Sequence, residues 1–249
     1  MRPAMTMRNI KLTISYKGTA YGGWQQQKNA RSIEEELKKA IFKTTGETVI
    51  VYGAGRTDAG VHALAQTANF RTDCRIPEER IAYALNARLP HDILVTESVE
   101  VPDDFHSRYN AVGKIYAYHL YLGPIPSPFY DEYCWHMPRP IDLTLMEAQC
   151  AYLLGTHDFR SFMASGSSVK TTVRRIESID FEREGPWVTI TFKGNGFLYN
   201  MVRIMVGTLV EIGMGKKRDM VSIVAARDRS CAGMTAPAKG LFLKQVLYK

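Results

Sequence analysis

Apolar and polar residues alternate from Ile10 to Tyr16, with Ile10, Leu12 and Ile14 on one face, and this pattern predicts a half-buried strand. Ser32-Ile33-Glu34-Glu35 has the spacing of a capping box, so a helix begins at Ser32, turns Ile33, Leu37, Ala40 and Ile41 inward, and ends before Gly46. Thr48–Tyr52 and Gln66–Arg71 read as strands on either side of a glycine-rich loop. Pro77–Leu89 has helical spacing with Ile81, Leu85 and Leu89 inward, and Ile93–Val101 alternates again, its apolar members being Ile93, Val95, Val99 and Val101. The order so far is β-α-β-β-α-β. Pro102-Asp103-Asp104 is a short polar boundary, which divides the chain into residues 1–104 and 105–249. From Lys114 a new strand sets Lys114, Tyr116, Tyr118 and Leu120 against Ile115, Ala117, His119 and Tyr121. A proline-rich connector at 123–128 leads to a helix over Leu143–Leu154, strands over Val173–Glu182 and Val188–Lys193, a helix around Arg203, another near Met220–Arg227 and a closing strand over Leu241–Leu247. Strands interleaved with helices in both parts predict an α+β fold.

Composition narrows the class. With 249 residues and 45% hydrophobic content the chain can bury a real core, and a formal net charge of +7 points to a polyanionic partner. The four cysteines, Cys74, Cys134, Cys150 and Cys231, form no CxxC pair, which argues against a disulfide framework and a thiolate zinc site and fits a reducing cytoplasm. The six histidines show no metal-ligand spacing, so no metal is expected. The charged start, Met1 to Arg8, has no apolar run behind it and no later segment is apolar enough to span a bilayer, so a soluble protein without a membrane partner is expected.

Candidate chemistry centres on Gly53-Ala-Gly-Arg-Thr-Asp-Ala-Gly-Val-His-Ala63, where small residues surround the single carboxylate Asp58 and let a ligand approach it closely. The plainer alternative is a tight turn in which Asp58 bonds its own backbone. From Phe197 to Val210 the only charge is Arg203, flanked by Met201, Val202, Ile204 and Met205. An unpaired guanidinium buried there would cost several kcal/mol, roughly, so Asp58 is a natural partner for it. The other reading leaves the Arg203 stem on the apolar face and its head at the surface. Basic clusters at Arg71 and Arg75, at Lys170, Arg174 and Arg175, and at Lys216-Lys217-Arg218 read singly as solvated surface; with Trp24 and Tyr116 they would suit a groove with phosphate on its rims and bases stacked inside.

These residues, in order, resemble the tRNA pseudouridine synthase family: Tyr16-Lys-Gly-Thr-Ala-Tyr-Gly-Gly-Trp-Gln-Gln-Gln27, Gly55-Arg-Thr-Asp-Ala-Gly-Val-His62, Phe105-His-Ser-Arg108, Lys114-Ile-Tyr-Ala-Tyr118, Gly155-Thr-His-Asp-Phe159, Phe197-Leu-Tyr-Asn-Met-Val-Arg203 and Ala236-Pro-Ala-Lys-Gly-Leu241. The resemblance spans nearly the whole chain. It implies two ferredoxin-like halves whose antiparallel sheets join and are flanked by helices, Asp58 as catalytic carboxylate, Tyr116 covering the target base, and Arg203 pairing with Asp58. Leu241 falls among the substrate-binding residues by the same resemblance. It further implies a tRNA substrate modified at uridines 38–40 of the anticodon stem-loop, a cytoplasmic homodimer, no cofactor, and no DNA partner. Lys17 and Asn110 depart from the family's usual Asp and Ser, which touches local loop and RNA contacts only.

The implied reaction breaks the bond from uracil N1 to the sugar, rotates the base and rejoins it through C5, with no net change of atoms and no cosubstrate. One ionised carboxylate can promote it, by nucleophilic attack or by taking a ribose proton, and a nearby guanidinium favours the ionised form. The nucleotide must be flipped out of its stack, with Tyr116 stacking on it and Arg56 filling the space it leaves. The competing function is a tRNA-binding or tRNA-folding module with a structural Asp58. A nucleoside hydrolase is disfavoured because no second acid stands near Asp58 in the sequence.

Overall fold

The computed structural model describes residues 7–166 and 169–249. Residues 1–6, within the charged start considered for an apolar leader, lie outside the described residues. The chain forms two compact units, one of residues 1–112 and 243–249, the other of residues 113–242.

The first unit contains β1 (Arg8–Tyr16), α1 (Ile33–Thr45), β2 (Tyr52–Gly53), β3 (His62–Thr72), α2 (Glu78–Asn86) and β4 (Ile93–Val101). β1 is the central strand, antiparallel to β3 on one side and β4 on the other. The helix α1 follows its sequence signals closely: the Ser32 hydroxyl accepts from the Glu35 amide at 3.3 Å, Gly46 closes the last turn at φ 77°, and Ile33, Leu37, Ala40 and Ile41 are buried.

Three expectations need correction. The strand anticipated over Thr48–Tyr52 shrinks to Tyr52–Gly53, paired with Asn69 and Ala68. Upstream, the Glu47 carboxylate takes the Thr72 hydroxyl at 2.6 Å and the Asp73 amide at 3.2 Å, so side-chain bonds anchor this stretch in place of a ladder. The second helix stops at Asn86 and not at Leu89, because the Asn86 side chain turns to the backbone of Val95, donating at 2.9 Å and accepting at 2.8 Å. In β4 the pairing with β1 shifts between Thr13 and Ile14, which changes the facing of the strand, so that Ser98 is buried while Val99 and Val101, of the apolar alternation, are only half-buried. The Ser98 hydroxyl is satisfied by the Ala82 amide and the Glu78 carbonyl of α2.

The second unit contains most of β5 (Ala111–Tyr121), then β6 (Trp135–His136), α3 (Leu143–Cys150), β7 (Gly155–Asp158), β8 (Val173–Glu184), β9 (Trp187–Gly194), α4 (Met201–Gly213) and α5 (Met220–Ala226). Its strands run in the order β5-β9-β8-β7, all antiparallel, with the two-residue β6 parallel to β5. Both short strands, β6 and β7, escape a periodicity search because they are too brief to show one. The last strand, β10 (Leu241–Tyr248), starts in the second unit, and from Leu243 onward it belongs to the first, next to β3. All four cysteines are free thiols. Among the described residues no helix is long and apolar enough to cross a membrane, and no group of three or more His, Cys, Asp or Glu is placed to hold a metal ion.

Candidate active site

In the first unit the loop between β2 and β3 is held from several sides. Its entry is tied down where the Ala54 amide donates to the Thr67 carbonyl at 2.8 Å and the Gln66 amide group donates to the Gly55 carbonyl at 2.9 Å. Gly53 lets the buried Trp24 lie flat on it, since a Cβ there would come 2.4 Å from the indole nitrogen. Thr57 is buried within the loop. Its hydroxyl shares a 2.8 Å hydrogen bond with the buried Tyr16 hydroxyl, and its carbonyl accepts from the Trp24 amide at 3.1 Å. Gly23 runs so close beneath that a Cβ would meet the Thr57 carbonyl at 2.4 Å, and its φ of 105° suits glycine alone. Beyond the apex the Val61 amide donates to the Asp58 carbonyl at 3.1 Å, with Gly60 at φ 77°. Asp58 is therefore half-buried on a loop whose neighbouring residue is locked into the core, and Arg56, two positions earlier, is exposed.

For Trp24 the sequence leaves two readings, an aromatic plane for a ligand or a place over the core; it is 4% exposed and covers core. Burial pushes the Tyr16 hydroxyl far above the usual tyrosine range, the Thr57 hydroxyl opposing weakly, so this hydroxyl stays protonated.

In the second unit Arg203 lies two residues inside the N-terminus of α4, whose other residues are all buried. The half-buried guanidinium donates through Nε to the Ala236 carbonyl at 2.8 Å and through Nη1 to the Asn200 side chain at 2.6 Å, and the Arg203 carbonyl accepts from the Ala236 amide at 3.0 Å. Two neutral oxygens thus orient the group. Asn200 stands just before the helix, without a side-chain capping bond, in the left-handed region at φ 59°, which asparagine tolerates better than most residues. The segment that supplies Ala236 is fixed in turn by Tyr118, whose hydroxyl donates to the Pro237 carbonyl at 2.8 Å, and by Gly240, where a Cβ would strike the Tyr118 ring at 2.6 Å. Burial raises the Tyr118 hydroxyl beyond the titrating range, with the Arg203 charge pulling the other way. Tyr116, two residues earlier on β5, is 7% exposed and meets Phe197 edge to face at 5.1 Å. Leu241 is buried at the start of β10.

Of the expected site residues, Asp58 and Arg56 lie in the first unit, and Tyr116, Arg203 and Leu241 in the second. Sequence reasoning missed Tyr16, Thr57, Asn200 and Ala236 as supports. Asn200 carried a usable signal, a polar side chain three residues before the lone charge Arg203.

The cluster Lys216-Lys217-Arg218 also departs from expectation. Lys216 reaches Glu211 Oε1 at 2.8 Å and Arg218 reaches Glu211 Oε2 at 3.5 Å, so two of the three cations serve a carboxylate that is only 8% exposed.

A basic α+β protein with these motifs belongs to a class that comparison with known proteins makes definite. The model of a family described as tRNA pseudouridine synthase matches residues 12–110 and 149–249, and the chain belongs to that family. Its relatives include a tRNA pseudouridine synthase A of Acetivibrio thermocellus, 50% identical over 244 residues that cover 97% of this chain and 100% of that protein. Another, from Thermoanaerobacter sp., is 48% identical with the same coverage, and one from Geobacter sp. is 46% identical over 97% of this chain and 99% of its own length. Among solved structures, a Cbf5-Nop10-Gar1 complex aligns with a TM-score of 0.35 and 14% identity over 94% of this chain and 57% of that one. The chain is an isomerase that turns uridine into pseudouridine in tRNA.

Proposed function

We propose that Asp58 is the catalytic carboxylate and that the chain acts on uridines 38–40 of the tRNA anticodon stem-loop, as a cytoplasmic homodimer of two ferredoxin-like halves that needs no cofactor. The observation that carries the catalytic assignment is the support under Asp58: Thr57 is bonded to Tyr16 through its side chain and to Trp24 through its backbone, which fixes the next residue while the surrounding glycines and alanines leave room for a nucleotide. The β4-β1-β3 order with α1 and α2 in the connections supports the ferredoxin-like reading of the first half. In the reaction the bond from N1 to C1′ breaks, the uracil rotates, C5 bonds to C1′, and as the C5 proton leaves N1 gains one. Ionised Asp58 promotes this at the sugar, as nucleophile at C1′ or as base at the ribose. Exposed Arg56 fills the place of the flipped nucleotide, and Leu241 lends an apolar wall. Tyr116 stacks on the uracil, and at 7% exposure its cover has to give way when the base enters.

Asp58→Asn keeps the volume and hydrogen bonding and removes the charge. Single-turnover pseudouridine formation on an unmodified tRNA transcript is expected to fall about a thousandfold or more, as for other essential catalytic groups, with tRNA affinity kept. A variant that retains the wild-type rate would withdraw Asp58 from catalysis.

A further inference from the structure

The first unit displays a second construction that the reaction does not use, built on the turn after β4 and on Tyr52 of β2. His106, Arg108 and Tyr109 project from the turn that follows β4, and the turn is braced from below. Ser107 is fully buried, giving its amide to Asn69 Oδ1 at 2.9 Å and its hydroxyl to the same oxygen, while its carbonyl accepts from the Tyr248 hydroxyl at 2.7 Å. Asn69 in turn donates to Asn9 at 2.9 Å. Asn110 closes the turn, accepting from the His106 amide at 2.7 Å and donating to the His106 carbonyl at 3.0 Å. The His106 ring is set by the Arg108 amide, which donates to Nδ1 at 3.1 Å.

On this base three rings stand in a row. Tyr52 and His106 have centroids 4.7 Å apart, His106 and Tyr109 4.3 Å apart, and the Arg108 guanidinium lies 5.9 Å from the Tyr109 ring. Tyr109 is 76% exposed, so it covers no core. Arg108 is exposed at the end of the row; Arg71, two residues along β3 from Asn69, is exposed too and donates to the Asp103 carbonyl at 2.8 Å, and Asp103 and Asp104 are likewise exposed. Ordered aromatic rings kept in water beside a guanidinium are what single-stranded RNA recognition requires: flat surfaces for base stacking and cations for the backbone.

We propose that Tyr52, His106 and Tyr109, with Arg108, form a stacking platform for an unpaired nucleobase of the tRNA, distinct from the uridine that is isomerised. This rests on tRNA being the substrate and not on the role of Asp58. The row is preorganised by the buried Ser107 and Asn69, so little ordering is needed when the base arrives.

The test compares Tyr109→Ala and Tyr109→Phe in the full chain, reading the Kd for an unmodified tRNA transcript and the single-turnover rate at saturating enzyme. Tyr109→Ala is expected to weaken binding about tenfold, the scale for loss of one stacked base, with the saturated rate unchanged, and Tyr109→Phe to bind as the wild type does. Unchanged affinity in Tyr109→Ala overturns the proposal, as does an equal loss in Tyr109→Phe, which would assign the effect to the hydroxyl. Weaker binding by Arg108→Gln alongside normal binding by Tyr109→Ala also overturns it, leaving a phosphate contact only. Because the readout is binding, an active Asp58→Asn enzyme would defeat the catalytic reading and leave this one standing.

Discussion

The Tyr16 hydroxyl is the smallest group on which the arrangement around Asp58 depends. It is buried, it shares its hydrogen bond with Thr57, and Thr57 precedes the carboxylate. Tyr16→Phe keeps the ring against Trp24 and leaves the Thr57 hydroxyl without this partner. We expect a loss of about 1–3 kcal/mol, the cost of a buried polar group deprived of a bond, read as a lower midpoint in chemical denaturation with an unchanged slope. The rate should fall more than tRNA affinity does, since the loop and not the RNA surface loosens. An unshifted midpoint would show that the bond carries no weight.

At the scale of elements, α4 and the segment after α5 act as one piece. The helix is buried on every side except at Arg203; its other residues are apolar or glycine apart from Thr208, bonded to the Ile204 carbonyl, and Glu211, paired with Lys216 and Arg218. It is seated by Gly207, where a Cβ would stand 2.0 Å from the Met234 carbonyl, two residues before the Ala236 that orients Arg203. Gly207→Ala should therefore force the segment and the helix apart, costing about 1–3 kcal/mol as overpacking does, and should lower turnover by disturbing Arg203. A variant with wild-type melting temperature and turnover would show that the contact relaxes freely. Cap signals made the helices legible: Ser32 and Gly46 bound α1 as their chemistry requires. The strand β4 was legible in extent but not in facing, because the irregularity opposite Thr13 and Ile14 lies in the pairing and leaves no mark on the alternation.

At the scale of the molecule, a net charge of +7 predicts that tRNA affinity falls steeply with salt. The cations are not equivalent, however. Removing Lys216, Lys217 and Arg218 together strands Glu211, and the expected result is lower stability as well as weaker binding, on the order of 1 kcal/mol because Lys216 is half-exposed and screened. Adding Glu211→Gln to the triple variant should restore the stability. Lys217→Ala alone should weaken tRNA binding without loss of stability and reduce the salt slope by about one. A triple variant as stable as the wild type would mean that Glu211 does not need its cations.

The sequence by itself determined the alternation of strands and helices, the helix caps, the singular positions of Asp58 and Arg203, and membership of the tRNA pseudouridine synthase family, because periodicity, capping chemistry and contiguous motifs are local properties of the chain. Tertiary structure alone decided that Trp24 is core, that Thr57 hangs from Tyr16, that Asn200 and Ala236 orient Arg203, and that Lys216 and Arg218 answer Glu211. It likewise aligned Tyr52 with His106 and Tyr109 across more than fifty residues of chain. Each of these pairs groups distant in sequence or turns a side chain inward or outward, and such choices follow from how surfaces close on one another, which no local pattern records.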